Sequence, residues 1–142
     1  MITADQFNQM ATDHLPGHLG MRITQISGRE VRAELPVAQH LMAPNGYMHA
    51  GGLVTLADTA AGCGCRANLP AGASGFTTVE LKSNFLGTAR DGMLDAVATL
   101  VHAGRTTQVW DATVTHRETG RTLALFRCTQ LVIYPRAEAT AA

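Results

Sequence analysis

The sequence carries no excess of charge: 11 Lys and Arg balance 11 Asp and Glu, and charged residues are only 15% of the 142. Such a chain offers no electrostatic footprint for a polyanion, so neither nucleic acid nor an anionic membrane is expected as a partner. Cysteine is scarce as well. Cys63, Cys65 and Cys128 are odd in number and two of them are a single residue apart, which suits small buried thiols in a reducing compartment rather than a disulfide framework. The histidines His14, His18, His40, His49, His102 and His116 lack zinc-type spacing, so no metal is expected. Met1 to Phe7 contain neither the basic stretch nor the apolar run of an export signal. The longest apolar segment, Ala50 to Cys65, is interrupted by Asp58 and falls short of the ~20 residues that a membrane span needs. These absences together predict a cytoplasmic protein.

What is present is enough apolar material for a core: 46% of residues in a 15.0 kDa chain, read as one domain over 1–142. Within 1–17, Thr3 can cap a short helix in which Phe7, Met10, Ala11 and Leu15 recur at helical spacing until Pro16-Gly17. This element is expected to be peripheral. Two β-like runs follow, Met21 to Ser27 and Glu30 to Leu35, joined at Ser27-Gly28. Pro44 and Asn45-Gly46 mark a loop between Pro36 and Met48. Ala50 to Cys65 is apolar nearly all round, which predicts a helix buried on every side. Its four glycines would each cost about 1 kcal/mol relative to alanine, so packing has to hold it. Phe76 to Phe85, Met93 to His102 and Thr106 to Tyr134 alternate as strands, the last through a hairpin at Glu118-Thr119-Gly120, and predict an antiparallel meander. The tail 136–142 is expected to fray. The fold class is therefore α+β, a long central helix wrapped by a curved antiparallel sheet.

The chemistry points to Pro44 through Gly52 and on to Asp58. A glycine-rich approach to a helix start leaves backbone N–H groups free at the positive end of the helix dipole, suited to a polarised carbonyl or an oxyanion. The donors would be Ala50 and Gly51. Asp58 sits in an otherwise apolar stretch, where a carboxylate is costly unless paired or working. Thr55, Thr59 or a strand threonine could satisfy it, which is the bland alternative. His49 could equally be a capping residue, and Asn45 a turn residue.

These residues resemble the PaaI-like branch of the hotdog-fold acyl-CoA thioesterases. The family pattern is an Asn, a few residues, Gly-x-x-His-Gly-Gly, and an acidic residue nine positions after the His. Here Gly46-Tyr47-Met48-His49-Ala50-Gly51 runs to Asp58 at that spacing. The likeness continues through Gly75 to Leu81, Asn84 to Leu86, Gly92, Gly104-Arg105 and Thr119-Gly120. It implies a hotdog fold in which Asp58 is nucleophile or general base. His49 and the N–H groups of Ala50 and Gly51 would surround the thioester carbonyl, and Thr78 would orient water. Ala50 replaces the family's first glycine yet keeps its N–H. Ala43 stands where the family carries an amide, six residues before the His, with Asn45 four before it.

Spacing adds a geometric argument, because nine residues of helix put His49 and Asp58 roughly 13 Å apart. If both serve one carbonyl, the site is shared across a two-fold axis, so a homodimer with composite sites is expected. The resemblance implies homodimers, often paired into tetramers. The expected reaction is hydrolysis of a small aromatic or short- to medium-chain acyl-CoA to free acid and CoA, with no cofactor beyond the CoA of the substrate. Leu53, Leu56, Met42 and Phe85 are candidates for the acyl pocket, and Lys82, Arg90 and Arg105 for the CoA phosphates. The alternatives are a non-enzymatic acyl-CoA binding module and a hotdog hydratase or dehydratase.

Overall fold

The computed structural model describes residues 2–136. Six strands form one antiparallel sheet: β1 (Arg22–Ser27), β2 (Glu30–Pro36), β3 (Gly75–Phe85), β4 (Met93–Ala103), β5 (Thr107–His116) and β6 (Thr122–Ile133). Their spatial order is β1-β2-β4-β5-β6-β3. Only β4, β5 and β6 make the expected meander. β3 does not sit beside β4. It crosses to the far edge and pairs with β6, from Gly75 opposite Ile133 to Phe85 opposite Ala124. The reason is that β2 already occupies the free edge of β4, over Glu30 to Pro36, so β3 finds its hydrogen-bond partners at the only other inner edge, that of β6.

Alternation along the strands builds the core. Leu94, Ala96 and Ala98 of β4 and Trp110, Ala112 and Val114 of β5 are buried while their neighbours face outward. Glycine at positive φ makes the turns at Gly28 (55°) and Gly120 (69°), where a Cβ would be strained.

On the concave face lies α3 (Ala50–Ala67), longer by two residues than Ala50 to Cys65. It buries Leu53, Leu56, Ala57, Ala60, Ala61 and Gly64, the i, i+3, i+4 stripe of a helix with one packed face. The expectation of burial all round is not met in this chain. Val54, Thr55, Asp58, Thr59 and Gly62 are only half-buried, because a single curved sheet covers one side of the helix. Gly64 has a packing reason: a Cβ there would overlap the ring of fully buried Trp110.

The N-terminal segment is two helices, not one ended by Pro16-Gly17. α1 (Ala4–Ala11) starts in a capping box between Thr3 and Gln6, as the position of Thr3 predicts. Pro16 opens α2 (Leu15–Leu19), since proline is tolerated in a first turn, and Gly20 at φ 83° closes it. Asn8 ties α1 to the sheet: its Nδ2 donates to the Ile23 carbonyl and its Oδ1 accepts the Ile23 N–H, both at 2.8 Å. Of the tail 136–142, all but Arg136 lies outside the described residues. Among the described residues, no helix is long and apolar enough to cross a membrane.

Candidate functional site

Three cavities open along α3, and two of them hold most of the residues singled out by the sequence. The first, about 410 Å³, lies at the start of the helix, lined by Asn45, Tyr47, His49, Ala50, Leu53 and Phe85 among others. The second, about 290 Å³, lies at mid-helix between α1, α3 and β3, lined by Phe7, Met10, Asp58, Gly62, Phe76 and Thr78 together with Thr59, Cys63 and Arg66. His49 and Asp58 do not share a cavity within one chain, in keeping with their separation along the helix.

At the first cavity His49 is the N-cap of α3, and its Nδ1 accepts the Gly51 N–H at 2.8 Å. That bond consumes one of the two donors expected there. Gly51 is engaged, whereas the Ala50 N–H meets no backbone acceptor among the described residues. It also fixes the histidine tautomer: a neutral ring that accepts at Nδ1 carries its proton on Nε2. The site thus offers the Ala50 N–H and the His49 Nε2–H as donors. Asn45 braces its own turn, its Oδ1 accepting the Tyr47 N–H at 3.2 Å, and it lines the groove. Leu53 and Phe85 line the groove. Leu56, fully buried in the core, does not. Met42 lies on the other side of His49, with Leu15 and Leu19.

Arg90 stacks over the Tyr47 ring, 4.2 Å from its centroid, and donates to the Tyr47 hydroxyl. This holds the guanidinium beside the groove. Lys82 stands apart, over a shallow depression on the outer face of the sheet with Asn84, Asp111 and Arg127. Arg105 lies over the ring of Tyr134.

At the second cavity, burial raises the proton affinity of Asp58, and a hydrogen bond from Thr78 works against that shift. Of the hydroxyls that could satisfy the carboxylate, Thr78 approaches it, Oγ1 standing 3.3 Å from Oδ1. Thr55 instead donates to the Gly51 carbonyl. Thr78 also donates to Gln130 Oε1 at 2.9 Å, and Gln130 Nε2 donates to Cys128 Sγ at 3.3 Å. Burial pushes the thiols of Cys63, Cys65 and Cys128 up to about 11, 12 and 12, so none is a thiolate at neutral pH. They are buried packing residues, as read from the sequence. Among the described residues, no cluster of three His, Cys, Asp or Glu side chains could hold a metal.

Two features here were missed in the sequence. Phe7 and Met10 make α1 a wall of the second cavity rather than a peripheral element. Gln108 and Gln130, opposite each other on β5 and β6, are fully buried polar residues. A signal existed for the glutamines: both fall in the inward register of strands whose other inward residues are mostly apolar.

A long helix seated in a curved antiparallel sheet of six strands is the hotdog arrangement. The signature of the thioesterase superfamily matches residues 45–125. A 1,4-dihydroxy-2-naphthoyl-CoA hydrolase from Listeria monocytogenes is 32% identical over 78% of this chain and 89% of its own length. Another from Escherichia coli is 28% identical over 93% of this chain and 96% of its own. The crystal structure of a Haemophilus influenzae thioesterase superposes with a TM-score of 0.89 at 27% identity, covering 98% of this chain and 96% of that one. The chain belongs to the thioesterase superfamily.

Proposed function

We propose that the protein hydrolyses an acyl-CoA thioester to the free acid and CoA, with Asp58 as nucleophile or as the base that activates water. The observation that carries this reading is Asp58 itself: a half-buried carboxyl with raised proton affinity, held near one hydroxyl and facing a largely apolar hollow. The Ala50 N–H and the His49 Nε2–H polarise the thioester carbonyl at the positive end of α3. Hydrolysis needs no redox or metal cofactor.

Phe7, Met10 and Phe76 favour an aromatic or otherwise flat acyl group beside Asp58. The two naphthoyl-CoA hydrolases among the relatives agree with that choice. Arg90, held by Tyr47 at the rim of the first groove, is the phosphate contact we favour for CoA.

The donors and the carboxylate belong to separate cavities, so a complete site takes its donors from one chain and Asp58 from another. Two further observations support a homodimer. Edge strand β3 points Leu81 and Phe85 toward the helix side, opposite Cys128 and Ala124, yet they remain 41% and 46% exposed. The half-buried face of α3 carries Asp58 as well. Both surfaces call for a second copy.

The test is free-thiol release over a panel of aromatic and of short, medium and long aliphatic acyl-CoAs, with Asp58→Asn in parallel. Turnover on aromatic esters that Asp58→Asn abolishes is the expected result. Full turnover by Asp58→Asn, or binding without turnover on every ester, refutes the proposal. Mixing inactive His49→Ala and Asp58→Ala chains should restore part of the activity; no recovery after verified subunit exchange refutes the shared site.

A further inference from the structure

Gln130 is fully buried, on an inward position of β6 where an aliphatic side chain would pack without polar cost. Register sets it directly opposite Thr78, and a β-bulge between Thr78 and Glu80 follows at once. Bulges re-aim the side chains next to them, here the threonine hydroxyl. That hydroxyl has a single proton and two acceptors in reach. Gln130 Oε1 is 2.9 Å away and Asp58 Oδ1 is 3.3 Å away. The amide presents its oxygen to Thr78 because its nitrogen is engaged on the other side, donating to Cys128 Sγ.

We propose that Gln130 is a positioning residue of the hydrolase: it draws the Thr78 proton away from Asp58, so that the carboxylate keeps a lone pair undonated and works as the stronger base. The inference rests on Asp58 being the working carboxylate. A carboxylate fully hydrogen-bonded to a hydroxyl is a weaker base and a poorer nucleophile. Thr78 donates to Asp58 only across the longer 3.3 Å contact, and competition from Gln130 at 2.9 Å keeps that donation weak, so that it offsets little of the effect of burial. The other groups around Asp58 are Cys63 and Arg66 on α3, Cys128 on β6, and the unionisable Phe7 and Met10 of α1 with Phe76 and Thr78 of β3. Neither neutral thiol nor the exposed guanidinium competes for the Thr78 proton.

The test is the pH dependence of kcat/KM, on the acyl-CoA turned over best, for the unsubstituted protein, Gln130→Met, Thr78→Val and the double variant. Gln130→Met leaves Asp58 as the sole acceptor for Thr78, and the acidic limb should move down by about one pH unit, with kcat on the plateau falling several-fold. Thr78→Val removes the donor, and the limb should move up. The double variant should coincide with Thr78→Val, because Gln130 acts only through that hydroxyl. Opposite shifts from the two ends of one hydrogen bond are not the mark of a merely structural role. A limb that stays in place or rises in folded Gln130→Met overturns the proposal. Should that variant fail to fold, Cys128→Ala releases the amide to turn its nitrogen toward Thr78; the limb should again fall, and an unmoved limb overturns the proposal there. If Asp58→Asn keeps full turnover, the reading of Asp58 fails first; if Asp58→Asn is inactive while the Gln130→Met limb stays put, only this inference fails.

Discussion

His49 does two jobs that substitution can separate. It caps α3 through Nδ1, accepting the Gly51 N–H at 2.8 Å, and it presents Nε2–H to the groove beside Ala50. In His49→Ala both are lost. Removing a side-chain N-cap costs about 1 kcal/mol, which in a chain of this size lowers Tm by about 3–5 °C. Removing one donor to a developing oxyanion costs about 10²–10³ in kcat. In His49→Ser or His49→Asn, the short side-chain oxygen can accept the same backbone N–H, so stability should return to within a few tenths of a kcal/mol. Neither side chain extends to where Nε2 stands, so the activity should not return with the cap. Thermal melts at one fixed protein concentration read the first effect, and thiol release at saturating acyl-CoA reads the second. Full activity in either capped variant would refute the reasoning, reducing His49 to a helix cap.

Asp58→Asn should be inactive yet more stable than the parent at neutral pH. The folded state raises the proton affinity of this carboxyl, so it holds a proton that the unfolded chain releases. Stability therefore falls as pH rises from the ordinary carboxylate range through the raised folded value, and the advantage of the amide should vanish at acid pH; urea titrations across pH would show it. Gly64→Ala should destabilise by about 1–3 kcal/mol, because overpacking against the rigid Trp110 ring outweighs a helix-propensity gain of about 1 kcal/mol. Gly62→Ala meets only the Phe76 ring, at 3.4 Å, and should be neutral or stabilising in the same denaturation assay. Phe7→Ala should raise KM for aromatic acyl-CoAs more than for short aliphatic ones, and equal effects on both would remove α1 from the acyl pocket.

Much of this protein was legible in its sequence because much of it is local. Alternation in β4, β5 and β6 follows from side chains pointing to opposite faces of a pleated strand. The Thr3 cap, the turns at Gly28 and Gly120, and the start of the central helix after His49 are settled within four or five residues. The spacing from His49 to Asp58 already placed the two groups too far apart along one helix to meet in one chain. Tertiary structure decided what depends on distant partners. β3 lies beside β6 because β2 holds the free edge of β4, and strand alternation carries no information about which edge is open. The same pairing brings Gln130 opposite Thr78 across 52 positions of sequence. α1 reaches Asp58 because Asn8 fastens it to Ile23 of β1. Gly51 loses its role as a free donor to a ring nitrogen two residues before it, a rotamer choice that residue type alone does not fix. Sequence pattern determines which face of an element is apolar; only the packed chain decides what that face meets.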